Sequence, residues 1–282
     1  MGTIPVRFIQ DTTKEPLLSG SFAIRTIESL SEGKDMVENL HRHDFFYVLV
    51  IKSGTGSHEI DFIPYHVTNN SIFFMKPGQV HRLTLKAGST GYLLQFKNGF
   101  FPSQELLRKL SHKKICTLAD GNGDRLIVLL EDMVREFTEE REGYREVIKA
   151  NLSIFFIELL RLRRNNESKT AAASEYPQEK LDNFFEMLDT GITQFKQVTH
   201  YADALNLSTY QLGAITRSLL DKTPSDIISE HIILEAKRQL LATSGQVNQI
   251  AYYLGYDDPS YFIRFFKKHT GHSPESFRII SK

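Results

Sequence analysis

The strongest constraint on this 282-residue chain is a segment that occurs twice near its carboxy-terminal end. In the second copy Ile250, Ala251 and Leu254 form one apolar stripe on a short helix, and Gly255 suits the left-handed position that ends such a helix. Asp257 or Asp258 then caps a second helix, with Pro259 accommodated in its first turn. Phe262, Phe265 and Phe266 recur at i, i+3 and i+4 and are expected to face inward, leaving Ile263, Arg264, Lys267 and Lys268 outward. From Ser260 to His272 there is no acidic residue, and Thr270-Gly271-His272-Ser273-Pro274 closes the unit. A short helix, a turn and a second helix with a basic face read as a helix-turn-helix, the second helix being of the kind that enters a DNA major groove.

A solvated amphipathic helix could carry the same charges, so the repeat matters. Tyr201-Ala202-Asp203-Ala204-Leu205-Asn206-Leu207 matches the segment Ile250 to Tyr256 at an offset of 49. Past the turn the offset becomes 50, with Leu212 on Phe262 and Lys222-Thr223-Pro224 on His272-Ser273-Pro274. Between the copies Ile228, Ile232, Ala236 and Leu240 keep a four-residue period, which predicts one long helix over Ser225 to Leu241. A solvated charge run does not repeat with its core and punctuation intact. Two reading helices on a rigid connector can address successive major-groove faces about 34 Å apart.

Charge tempers this picture. The whole chain balances 34 Lys+Arg against 34 Asp+Glu, and residues 179–282 hold 11 against 12. Affinity for DNA must then come from the cluster Arg264, Lys267, Lys268, His269 and His272, with helix N-termini donating to phosphates. Few phosphate contacts and a modest salt slope are expected.

Residues from about 179 to 282 resemble the AraC/XylS-type DNA-binding domain of bacterial transcription regulators, most specifically in the second copy. The first copy departs from that pattern. Gly213 and Ala214 stand where a small polar residue and a base-reading Arg are usual, Asp221 replaces a glycine, and Ile232 replaces an Arg of the connecting helix. The resemblance implies readout through Thr209, Tyr210, Gln211 and Arg217 in the first copy. In the second it implies Pro259, Ser260, Ile263, Arg264, Lys267 and Lys268. Gly213 inside its helix costs roughly 1 kcal/mol relative to Ala.

Upstream, Arg161 to Pro177 is polar, poor in apolar residues and closed by proline, as a solvated linker would be. The expected division is a domain over 1–165, a linker over 166–178 and the helical domain over 179–282. Cys116 is the single cysteine, which excludes an internal disulfide framework and fits a reducing compartment. No signal core or transmembrane run is evident, so a soluble cytoplasmic protein is expected.

The first half has another rhythm. Short β-rich runs cover Phe22 to Ile27, Phe45 to Ile51, Gly56 to Phe62, Ser71 to Met75, His81 to Leu85 and Gly91 to Phe96, separated by turn residues. They predict a compact antiparallel barrel or sandwich, with the run from Phe45 buried on both faces. His41 and His43 share one side of a strand, and Pro77-Gly78-Gln79-Val80-His81 adds a third imidazole after a turn. This arrangement resembles the two short motifs of the cupin fold, in which histidines and a carboxylate bind a metal. Phe46 and Tyr47 stand where the carboxylate would be. The histidines then either fill the lumen as structural polar groups, hydrogen-bond a ligand, or hold a metal; no metal or cofactor is assigned.

Helical patterns follow over Ser103 to Leu110, Asp124 to Thr138 and Tyr144 to Leu162. The stripe Leu152, Phe155, Phe156, Leu159 and Leu162 either packs on the strands or forms a dimer interface, as the resemblance implies. The fold class is therefore α+β with two domains, a cupin-like antiparallel domain with helices and an all-α domain with two helix-turn-helix units. The function expected is a non-enzymatic, DNA-binding transcription regulator, a homodimer that answers to a small-molecule effector, with RNA polymerase a further candidate partner. The expected effector pocket is His43, Phe45, Tyr47, His58, Phe74, Met75 and His81, subject to strand parity. The alternatives are a cupin metalloenzyme with a helical appendage, and a regulator that acts by protein contacts and binds DNA weakly.

Overall fold

The structure, a computed structural model, describes residues 5–9, 20–111, 115–117, 123–166 and 175–281. The chain divides into two compact units, Pro5–Ala171 and a second formed mainly by residues 172–282.

The first unit runs β1 (Val6–Arg7), β2 (Phe22–Thr26), α1 (Ile27–Ser31), β3 (Met36–His43), β4 (Phe46–Ser53), β5 (Gly56–Ile60), β6 (Ile63–Val67), β7 (Ser71–Met75), β8 (Val80–Leu85), β9 (Thr90–Phe96), α2 (Gln104–Ser111), β10 (Ile115–Thr117), α3 (Asp124–Glu139) and α4 (Tyr144–Asn166). The strands form two five-stranded sheets, ordered β1-β3-β8-β5-β6 and β10-β7-β4-β9-β2. Every pair is antiparallel except β1 with β3, which is parallel. The barrel-or-sandwich expectation thus resolves as a two-sheet sandwich.

Alternation along β4 sorts the core into two layers, and all of Phe46 to Ile51 is buried. Phe46, Phe74 and Phe96 point to the helices, where Phe74 and Phe96 meet Phe156 of α4 at centroid distances of 5.9 and 5.8 Å. Tyr47, Phe73 and Met75 take the other face and meet the opposite sheet; the Phe73 ring lies 4.7 Å from His58. In α4 Leu152, Phe155, Phe156 and Leu159 are fully buried in this core. That stripe therefore packs on the sheet, and it is not a free dimer face.

A register shift in β3 shapes the inner wall. Glu38 pairs with Leu83, yet His41 pairs with His81, so β3 holds one more residue than β8 between these points. This bulge turns Met36 and Glu38 to the same side as His41 and His43.

Of the expected 166–178 linker only the ends lie within the described residues. Helix α4 continues to Asn166, and α5 (Glu175–Gly191) takes up the chain so that Tyr176 and Pro177 are helical. Arg163 is buried and donates from Nη1 to the Leu110 carbonyl at 2.9 Å, so this residue of the expected polar run is packed and not solvated.

The second unit continues with α6 (Val198–Ala204), α7 (Thr209–Leu220), α8 (Pro224–Ala242), α9 (Val247–Tyr253), α10 (Pro259–Thr270) and α11 (Pro274–Ile280). The long connecting helix expected from the four-residue period is α8. Each repeat copy is a helix pair, α6–α7 and α9–α10. Ser208 and Thr223 cap α7 and α8 through reciprocal side-chain and backbone bonds, with Gln211 and Asp226 as their partners. Asp258 accepts from Ser260 N at 2.8 Å to cap α10, and Gly271 ends it at φ 78°. In the first copy Asn206 and Asp221 adopt the equivalent left-handed positions at φ 55° each.

Candidate ligand cavity and nucleic-acid interface

Between the two sheets lies a cavity of about 520 Å³, within the range of small-molecule sites. β1 and β3 contribute Arg7, Glu38, His41 and His43; β2 and β9 contribute Arg25, Leu93 and Gln95. Phe45 and Tyr47 line it as well. Arg7 is ion-paired with Glu38.

Beside the cavity four imidazoles converge. His41 Nδ1 lies 2.6 Å from the Asn39 carbonyl oxygen, His43 Nε2 lies 2.7 Å from His81 Nε2, and His81 Nδ1 lies 2.9 Å from His58 Nε2. The Tyr47 ring stacks on His43 at 5.2 Å and 11°. All four rings are buried. Burial pushes His43 and His58 down to about 3, with neighbouring imidazoles adding to it, and drives His81 well below the usual histidine value. Burial lowers His41 too, so these rings are neutral near pH 7. Three of them, His41, His43 and His81, each offer a ring nitrogen within 4.8 Å of the others.

The structure distributes the seven expected pocket residues unevenly. His43, Phe45 and Tyr47 line the cavity. His58 and His81 lie in the adjoining cluster, and Met75 pairs with Tyr47 across β4 and β7. Phe74 faces the helices, the one-residue parity error that a two-residue period permits. Arg25 and Gln95 were not anticipated. A charged residue on the side of Ala23 in the β-rich run Phe22 to Ile27 was the available signal for Arg25.

The second unit presents two exposed helix faces. On α7, Thr209, Tyr210, Gln211 and Arg217 are exposed, Tyr210 to 81%. Gln211 is partly committed, since its Oε1 accepts from Ser208 N at 2.8 Å. On α10, Ser260, Ile263, Arg264, Lys267 and Lys268 are exposed and Pro259 is half-buried. Phe262 and Phe266 are fully buried beneath them, with Phe265 half-buried. The Arg264 guanidinium stands 3.9 Å from the Asp258 carboxylate. Tyr261, 55% exposed beside Ser260, escaped the sequence reading. Ala214 occupies on α7 the place of Arg264 on α10, so the two faces differ in chemistry.

A cavity-bearing sandwich in the same chain as two helix-turn-helix units defines a ligand-binding, DNA-binding regulator. Residues 26–155 match the AraC-like ligand binding domain, and residues 201–279 match a helix-turn-helix domain. The chain belongs to the AraC family of transcription regulators. It is 22% identical over 266 residues to the HTH-type transcriptional activator RhaS of Escherichia coli O1:K1 / APEC, covering 84% of this chain and 86% of RhaS. Among solved structures it is similar to unsaturated fatty acid bound wild-type ToxT from Vibrio cholerae strain SCE256, at 17% identity and a TM-score of 0.43 over 92% of this chain and 95% of that one. An AraC-type transcriptional regulator from Chromobacterium violaceum matches 38% of this chain and 95% of its own, at 22% identity and a TM-score of 0.35.

Proposed function

We infer that the chain is a cytoplasmic, non-enzymatic regulator in which a small molecule in the sandwich cavity biases how the paired reading helices engage DNA. The observation that carries this reading is the pairing, in one chain, of a half-open cavity of about 520 Å³ with two exposed helix-turn-helix faces. A ligand that binds one state of the protein better shifts the population toward it, and DNA affinity follows by linkage. Base reading falls mainly to α10, where Arg264 can bond a guanine edge while Lys267 and Lys268 contact phosphates. Helix α7 adds Thr209, Tyr210, Gln211 and Arg217. A homodimer fits the exposed apolar residues Val147, Ile154 and Ile157 on α4, which replace the buried stripe as its interface. An activating role would add a contact with RNA polymerase.

The test is selection of a random duplex library with the purified chain, followed by binding of the recovered motif by Arg264→Ala. We expect one enriched motif and a loss of about 1–3 kcal/mol confined to one base position. No enrichment over random DNA would overturn the reading in favour of a regulator that acts by protein contacts. A uniform loss across sequences would make Arg264 a phosphate contact.

A further inference from the structure

Hydrogen-bond accounting in the sandwich leaves more nitrogen capacity than packing requires. His41 donates its Nδ1–H to the Asn39 carbonyl at 2.6 Å, which leaves Nε2 with a bare lone pair. His43 Nε2 and His81 Nε2 sit 2.7 Å apart, so one of them must carry the bridging proton. The Nδ1 atoms of His43 and of His58 are buried without a hydrogen-bond partner. The cupin pattern would place a carboxylate ligand shortly after His43. This chain has Phe46 and Tyr47 there, neither of them a carboxylate, and the Tyr47 ring stacks on His43.

We propose that His41, His43 and His81 hold a divalent transition-metal ion through nitrogen alone, and that His58 is the positioning residue that keeps His81 in the ligating tautomer. On loading, the bridging proton leaves the space between the two Nε2 atoms; His43 carries its proton on Nδ1, and His81 donates Nδ1–H to His58 Nε2. Each imidazole keeps one proton, so loading releases no net proton and transfers no electron, the change of tautomer being carried by water. The 2.7 Å separation must widen to about 3.3 Å for two ligands of a tetrahedral ion bound at about 2.0–2.1 Å. A second-shell acceptor on the far ring nitrogen is how ligating histidines are ordinarily oriented; Asn39 does this for His41, and His58 for His81. Three imidazoles without a carboxylate select zinc, cobalt, nickel or copper over magnesium, calcium or manganese. Because His41 and His43 also line the cavity, the open coordination position faces the ligand space. This deepens the effector reading while remaining independent of the DNA-reading assignment.

The experiment uses the full chain, stripped with a chelator and titrated with Co²⁺ while visible absorption is recorded. We expect a ligand-field spectrum that saturates at one equivalent, is displaced by Zn²⁺ and is unaffected by excess Mg²⁺. His81→Ala and His43→Gln should each abolish it. His58→Phe should keep the stoichiometry but weaken binding by about 10–100-fold, and His58→Gln, which retains an acceptor, should recover part of the loss. No saturable spectrum in the wild type, or an unchanged spectrum in both His43→Gln and His81→Ala, would overturn the site. Unchanged affinity in His58→Phe would overturn the role of His58. Binding of selected DNA by the stripped protein, run in parallel, keeps failure of the metal site distinct from failure of the regulator reading.

Discussion

The Nζ of Lys196 lies 2.9 Å from the carbonyl oxygen of Gly255, donating to it while the same ammonium stands 5.0 Å from the centre of the Tyr256 ring. Lys196 belongs to the segment that precedes the first helix pair, and Gly255 is the turn of the second. The contact therefore latches the two copies together in addition to their common packing on α8. Lys196→Met removes the donor and the cation–π contact, leaving a half-satisfied carbonyl. Duplex selection with the variant should recover the same half-elements with relaxed spacing between them, while melting falls by only a few degrees, as loss of about 1 kcal/mol implies. A recovered motif with unchanged spacing would show that α8 alone sets the geometry.

The requirement for glycine at position 255 comes from its backbone. Its φ is 71°, and a Cβ there would come within 2.2 Å of the Thr193 carbonyl oxygen. Gly255→Ala must meet the left-handed penalty of about 1–2 kcal/mol and also displace the Thr193 backbone, so denaturant unfolding should show a loss above about 2 kcal/mol. Asn206 holds the matching turn in the first copy at φ 55°, and Asn206→Gly should change stability little.

Gly213 presents the opposite case. It sits inside α7 with no strained φ, and the nearest atom to an added Cβ is Arg217 Nη1 at 4.0 Å. Gly213→Ala should stabilise the helical unit by about 1 kcal/mol through helix propensity and a narrower unfolded ensemble. A destabilised variant in urea unfolding would mean that α7 needs this glycine for close packing.

For assembly, Ile154→Glu with Ile157→Glu places two charges on the exposed stripe of α4 without entering the core. Sedimentation should show a dimer for the wild type and a monomer for the double variant, with an unchanged melting profile at low concentration. Equal masses for the two proteins would remove this face as the interface.

The helical unit was legible residue by residue because its boundaries rest on special chemistry. Asp258 and Pro259 open α10, Gly255 and Gly271 occupy left-handed positions, and the phenylalanines mark a helical period. The sandwich was legible only where strands are buried. Strand β6 is exposed over Ile63 and Pro64, and β10 has three residues, so neither announces itself by alternation. The histidine cluster was half visible. His41 and His43 share a strand, but bringing His81 and His58 against them depends on registers across β3, β8 and β5 that no spacing within one strand encodes. Phe74 was misplaced by the same limit, since parity fixes a side only after the register is known.

The extra residue of β3 between Glu38 and His41 has a consequence for how variation in this wall should be read. Deleting Asn39 or Leu40 alters no ligand or cavity side chain, yet it would rotate Met36 and Glu38 away from His41 and His43, breaking the Arg7–Glu38 pair or expelling the imidazoles. In homologous chains, the number of residues between these positions is therefore a sharper marker of the same wall than the identity of any one of them. A chain that keeps every histidine but is shorter by one here has a different cavity.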